Sequence, residues 1–152
     1  MSPGYHRWGI PLVILGLLIL TGLVLFSRRI ALDREYPANE ATAIKAIQTI
    51  QTMQVQYNSQ YGRFATTLTE LGPPASGAAN ASSADLIDSN LAAGEKSGYK
   101  FTMTGNLSGY QISAMPVAYG NTGSRTFYSD QSMAIRESDG PEPATAHSKE
   151  MK

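Results

Sequence analysis

The feature that most constrains this chain is a helical repeat of apolar side chains in residues 39–64. Apolar residues recur there at steps of three and four, which places them on one face of a helix: Ile44, Ile47, Ile50, Met53, Tyr57 and Tyr61. The polar residues between them predict an exposed opposite face: Lys45, Gln48, Gln51, Gln54 and Gln56. Asn39 is a suitable cap, and Gly62 is a suitable end. Pro37 predicts a kink or short break before Asn39, although a kinked helix that continues from the preceding residues is also allowed. The rest of the chain has to cover the apolar face.

Short strands after the helix offer that cover. Apolar and polar residues alternate in two runs, which predicts two strands joined through residues 105–109 into a hairpin: Tyr99, Phe101 and Met103, then Tyr110, Ile112 and Ala114. Residues 126–129 and 133–136 predict a second, shorter hairpin. Before the strands, a short helix is predicted from a capping-box spacing at Ser82 and an end at Gly94.

An uncharged apolar run precedes the amphipathic helix and predicts a transmembrane helix over residues 10–27. At 1.5 Å per residue the run spans about 26 Å, close to the roughly 30 Å of a hydrocarbon core. Tyr5 and Trp8 lie where interfacial aromatic residues are expected. A cleaved secretory signal and a buried core helix are the alternatives. We expect an uncleaved single-pass anchor in contact with membrane lipid.

The predicted organisation follows from these segments. Residues 1–9 form a short head, residues 10–27 the transmembrane helix and residues 28–136 a globular domain. Residues 137–152 contain two prolines, several charges and little apolar surface. That composition predicts a disordered tail.

The orientation of the anchor is left open by the charges around it. Three arginines follow the span and one precedes it: Arg28, Arg29 and Arg34, against Arg7. Counted strictly, the positive-inside rule places the C-terminal domain in the cytoplasm.

The composition offers little support for catalysis or nucleic-acid binding. Twelve basic residues balance twelve acidic ones, and no basic patch tracks a phosphate backbone. The chain has no cysteine, which fits a bacterial envelope protein without identifying a compartment. His6 and His147 have no partner at ligand or triad spacing. We predict no enzyme, and therefore no catalytic residues, metal, cofactor or small-molecule substrate.

Three weaker patterns are better explained without a reaction. Ser97 and Lys100 have S-x-x-K spacing, but they enter a predicted strand and the accompanying motifs are missing. Asp85 and Asp88 lie three residues apart near a predicted helix start, where a carboxylate favours the helix N-terminus. Asp130 lies in a predicted turn, and a lone aspartate is a weak signal for calcium.

Four segments together resemble the globular part of type IV pilins and type II secretion pseudopilins: NEATAIKAIQTIQTMQVQYNSQYGRF, LTELGPP, SGYKFTMT and GYQISAMPVAYGNTGSRTFYSDQSMAIR. The resemblance covers residues 10–136. It implies an α+β fold with an N-terminal transmembrane helix and a long amphipathic helix packed on a small antiparallel sheet. It also implies a structural subunit of a type IV pilus or type II secretion-type assembly, with other pilin-like subunits as partners. The expected location is the bacterial inner membrane, with the C-terminal domain in the periplasm.

The N-terminus departs from the pattern of that family. Family members usually carry a basic leader, a Gly-Phe processing site and a Glu at the fifth mature position. Here Gly9 and Ile10 form the nearest junction, Ile14 occupies the fifth position, and no acidic residue precedes Asp33. We therefore expect the head to be retained. The alternative is a standalone anchored binding or sensor module of the same fold, which does not polymerise and recognises a partner through residues 116–124.

Overall fold

The structure is a computed structural model. It describes the backbone of residues 9–106 and 108–152, and the side chains of residues 14–27, 36–106 and 108–152. The chain divides into two compact units, Met1–Arg34 and Glu35–Lys152. Residues 1–8 of the predicted head lie outside the described residues.

The longest element is helix α1, Gly9–Tyr61. Among the described residues, no helix contains a stretch that is both long and apolar enough to cross a membrane. The predicted transmembrane helix at residues 10–27 is therefore wrong. So are the inner-membrane location and the periplasmic placement inferred from it, and the expected contact with membrane lipid loses its basis.

The boundaries of the amphipathic part were predicted correctly at one end only. Helix α1 continues through Pro37 and does not begin at Asn39. The Asn39 side chain instead donates from Nδ2 to the carbonyl oxygen of Thr122 at 3.0 Å. At the other end the helix stops at Tyr61, and Gly62 follows with a φ of +71°. That left-handed conformation suits glycine and ends the helix as predicted.

The buried face of α1 is close to the predicted one but includes two polar residues. Ile47, Ile50 and Tyr57 are fully buried, as expected. Gln51 and Gln54 were predicted to be exposed, and both are buried. From Glu40 onwards these buried positions of α1 follow the helical period: Glu40, Ala43, Ile47, Ile50, Gln54 and Tyr57.

A six-stranded antiparallel sheet follows, with its strands in sequential order. Its strands are β1 Glu95–Lys96, β2 Tyr99–Asn106, β3 Gly109–Pro116, β4 Arg125–Asp130, β5 Ile135–Asp139 and β6 Lys149–Glu150. The α+β class and both predicted hairpins, β2–β3 and β4–β5, are confirmed. Alternate side chains of β2 are buried, and they join those of α1 in one core.

The segment between α1 and the sheet differs from its prediction. Helix α2 is Leu68–Leu71, and helix α3 is only Ser89–Ala92. Asp88 is the cap of α3, because its Oδ1 accepts a hydrogen bond from the Leu91 N–H at 3.0 Å. Asp85 has a φ of +55°, outside the helical region. The capping-box spacing at Ser82 therefore marks no helix start.

The C-terminal residues are ordered in the structure, so the predicted disordered tail is wrong. Strand β6 pairs with β5, with Arg136 opposite Glu150. The Thr126 hydroxyl donates to the Glu142 carbonyl oxygen at 2.8 Å, and Ala144 is buried. Backbone pairing with the sheet edge orders this segment in spite of its low apolar content.

Candidate interaction surface

The residues singled out for chemistry do not come together. Ser97 lies in the β1–β2 turn with a φ of +47°, whereas Lys100 is exposed on β2. Asp88 caps α3 and pairs with Lys96 Nζ at 2.6 Å. Asp130 accepts a hydrogen bond from the Ser132 N–H at 2.9 Å, which closes a turn. Within the described ranges, no group of three histidines or acidic residues is placed to hold a metal ion.

What the structure does build is a set of loops held by polar side chains of α1. Gln54 is fully buried beside the turn that follows the helix. Its Oε1 accepts from the Ala65 N–H at 2.8 Å, and its Nε2 donates to the Ala65 carbonyl oxygen at 2.9 Å. Gln51 holds the β4–β5 turn in a similar way, donating from Nε2 to Ser129 Oγ at 2.6 Å and to the Met133 carbonyl oxygen at 3.1 Å.

Glu40 holds the loop between β3 and β4. Its Oε1 accepts from the Ser124 N–H at 2.9 Å and from the Arg125 N–H at 3.2 Å, and its Oε2 pairs with the Arg125 guanidinium at 2.9 Å. Burial raises the pKa of Glu40, but the hydrogen bonds from Ser124 and Arg125 outweigh burial. The pKa therefore lies below its usual 4.5. Arg125 also pairs with Glu137 on β5, so one charge network joins the helix, the loop and the sheet.

Sequence reasoning missed these three helix residues as structural anchors. A signal was present, since Glu40 lies three residues before the buried Ala43, and Gln54 fits the helical spacing between Ile50 and Tyr57. Polar residue types obscured that spacing. The burial of both depends on hydrogen-bond partners, and the partners of Glu40 lie more than eighty residues away.

Two exposed apolar patches lie on the second unit. The first is the α1 groove, a shallow depression of about 520 Å³ lined by Thr52, Val55, Gln56, Ser59, Gln60 and Met133. The second is the β3–β4 loop, residues 117–124. The exposed fractions are 53% for Val55 and 46% for Met133 in the groove, and 60% for Val117 and 48% for Tyr119 in the loop.

A third apolar surface lies on the first unit. We call residues 14–27 of α1 the apolar segment. It carries no charge, and its large apolar side chains are 53–66% exposed. Its two hydroxyls turn onto the helix backbone, since Thr21 donates to the Leu18 carbonyl oxygen and Ser27 to that of Leu23. The segment therefore presents apolar surface on all sides.

Comparison of the chain with protein-family models, with curated proteins and with solved structures finds no match in any of the three. The resemblance to pilins therefore stays a prediction from the sequence.

Proposed function

We propose that the protein is a pilin-like structural subunit, which assembles with other such subunits into a filament of the type IV pilus or type II secretion type. The observation that supports this function is the apolar segment, residues 14–27. A helix that is apolar on every side is stable when other protein surrounds it. Copies of the same segment are suitable neighbours because the segment is uncharged throughout.

The size of the apolar surface favours many neighbours over one. Full burial of a Leu, Ile, Val or Phe side chain contributes about 1.5–3 kcal/mol. Ten such side chains in the segment are more than half exposed: Ile14, Leu15, Leu17, Leu18, Ile19, Leu20, Leu23, Val24, Leu25 and Phe26. Because about 60% of each side chain is exposed, covering all of them would contribute roughly 9–18 kcal/mol per copy, enough to offset much of the entropy cost of association. A single partner helix covers one stripe only, whereas a bundle covers every side.

The order of elements also supports this function. A long helix precedes a meander of antiparallel strands, and the strands pack on the C-terminal part of that helix. This order is the one that the resemblance to pilins implies.

The second candidate function is a standalone binding module. The observation that favours it is the β3–β4 loop, which presents Val117 and Tyr119 while Glu40 holds its base. Such a module would bind one partner through this loop.

Cysteine crosslinking of the full chain separates the two functions. The chain has no cysteine of its own, so every disulfide reports an introduced position. Leu18→Cys combined with Leu20→Cys places thiols about 200° apart around the helix. If copies surround the segment, oxidation produces a ladder of multimers. The control pair is Thr67→Cys with Thr69→Cys, at two exposed positions of the second unit.

The outcomes are distinct. A ladder from positions 18 and 20, absent from the control, supports the filament subunit. A disulfide-linked dimer as the largest product would show that the segment pairs without polymerising. Monomers alone would refute the proposal. A separate Asn121→Cys variant, at an exposed position of the β3–β4 loop, tests the binding module, which its capture of one different protein would favour.

A further inference from the structure

We propose that strand β6 of one copy pairs with strand β5 of a neighbouring copy, so that adjacent subunits of the assembly exchange their C-terminal strands. This inference rests on the proposed function and specifies a contact between the second units of two copies. Within a single chain, the same two strands already pair. The exchanged contact therefore uses a strand pairing that the structure contains.

Charge makes β6 a matching partner for the edge of β5. Arg136 lies opposite Glu150, and Glu137 lies opposite Lys149. Both combinations are ion pairs, from Arg136 Nη2 to Glu150 Oε2 at 3.3 Å and from Lys149 Nζ to Glu137 Oε1 at 3.0 Å. Opposite charges on directly opposed residues stabilise an antiparallel pair.

A second β5 strand does not fit this edge. Successive side chains of a strand point to opposite faces, so directly opposed residues of one continuous sheet must share a face. In an antiparallel pair of two β5 strands, the two central registers therefore place Arg136 opposite Arg136 or Glu137 opposite Glu137. Like charges directly opposed are destabilising. The edge of β5 thus favours β6 over a second β5.

The pairing of β6 within its own chain is held by few contacts. The strand has two residues, and its side chains are exposed, by 81% for Lys149 and by 56% for Glu150. Ion pairs between exposed side chains contribute little to stability. Of residues 140–152, Ala144 alone is buried. Release of β6 therefore breaks few contacts, and its strand pairing is formed again on the neighbouring copy.

The connection between β5 and β6 contains a hinge and is long. Neighbouring antiparallel strands are usually joined by about two to five residues, whereas residues 140–148 lie between these two. Gly140 has a φ of +131°, which glycine adopts readily, and a rotation there redirects the segment that follows. Pro141 and Pro143 favour extended backbone. An extended segment of this length spans about 30 Å, enough to carry β6 to a neighbour.

The proposed bundle of apolar segments favours the exchange. Pairing within a chain and pairing between chains use the same strand contacts, so the local concentration of neighbouring copies decides between them. Tethering raises the effective concentration of a neighbour to about the millimolar range. A strand that passes from each copy to the next also links the copies in one direction, as an open assembly requires.

Disulfide formation between single-cysteine full chains tests the exchange. The variants are Arg136→Cys on β5 and Glu150→Cys on β6, at directly opposed positions. Neither chain can form a disulfide within itself, because the natural sequence has no cysteine. We expect a mixed disulfide dimer when the two variants assemble together, since β6 of one copy then lies on β5 of the next. Absence of the mixed dimer would overturn the inference.

Lys149→Cys is the matched control for Glu150→Cys. The two positions are adjacent in β6, but Lys149 lies opposite Glu137, so its side chain points to the other face of the sheet. Mixed with Arg136→Cys, this control should give at least tenfold less dimer. Equal yields from positions 149 and 150 would indicate random collision and would overturn the inference.

A charge exchange tests the same contact without cysteine. Arg136→Glu and Glu150→Arg each place like charges opposite one another, both within a chain and between identical chains. Each variant alone should lower the amount of pelletable assembly at least fivefold, with circular dichroism showing that it is folded. Mixing the two should restore assembly, because each β5 then meets a β6 of opposite charge on the other chain. Unchanged assembly of either variant alone, or no recovery on mixing, would overturn the inference.

Crosslinking at positions 18 and 20 separates this inference from the proposed function. A ladder at these positions without the mixed 136–150 dimer would overturn the inference and leave the filament subunit standing. A mixed dimer without a ladder would support the strand exchange and refute the filament subunit. Loss of both would overturn both.

Discussion

Replacing Gln54 by leucine tests how far a buried polar residue holds this fold together. Gln54 is fully buried, and its amide satisfies both the N–H and the carbonyl group of Ala65, which is itself fully buried. Leucine has a similar volume but offers neither a donor nor an acceptor. Gln54→Leu therefore leaves two buried backbone groups without partners.

The expected effect follows from those two groups. Each unsatisfied buried backbone group costs about 1–3 kcal/mol, so the pair costs about 2–6 kcal/mol. The leucine side chain regains roughly 1–2 kcal/mol through apolar burial. We expect Gln54→Leu to lower the free energy of unfolding by about 3 kcal/mol.

Urea denaturation of the full chain, followed by far-ultraviolet circular dichroism, measures this change. Gln48→Leu is the matched control, because Gln48 is exposed on the same helix and should change the free energy by less than about 0.5 kcal/mol. If Gln54→Leu were as stable as the natural protein, the Ala65 backbone would not depend on Gln54. The argument from buried hydrogen bonds would then be refuted.

Three further predictions concern the stability of the second unit. Ile47→Asp should unfold the second unit because it buries an unpaired charge, whereas Gln48→Asp should be tolerated; equal stability would contradict the core assignment. Burial raises the pKa values of Glu40 and Glu70. At each residue, hydrogen bonds and an arginine partner outweigh burial, so both pKa values lie below 4.5. Their stabilisation should be complete above about pH 4.5 and lost as the pH falls through the lower folded-state values, so an acid-insensitive melting temperature would refute it. Deletion of residues 140–152 should lower the free energy of unfolding by about 1–2 kcal/mol, because it removes a paired strand and buried Ala144; an unchanged value would show that the segment is dispensable.

Much of the helix and the two hairpins was predictable because their signals are local. The spacing of Ile47, Ile50 and Tyr57 places three side chains on one face, whatever covers them. Gly62 ends the helix through its own backbone freedom. Alternation in β2 indicates which side chains turn inward, since successive residues of a strand point to opposite faces.

The candidate interaction surface was predictable only in part. The sequence suggested residues 116–124 as a recognition loop only under the alternative function of a binding module, and the α1 groove was not predicted. The groove joins Val55 of α1 to Met133, which lies seventy-eight positions further along the chain. No local pattern brings these two residues together.

Tertiary contacts decided the polar interior and the C-terminus. Glutamines placed between isoleucines predict an exposed face. Burial of Gln54 is favourable because the Ala65 backbone pairs with its amide, and burial of Gln51 is favourable because the β4–β5 turn accepts its hydrogen bonds. The segment after Asp139 has too little apolar surface to fold alone, yet it is ordered because the free edge of β5 offers backbone partners to β6. Local periodicity thus determined which segments form helices and strands, because each depends on neighbours a few residues away. Long-range hydrogen bonding determined which polar groups are buried, because their partners meet only in the folded chain.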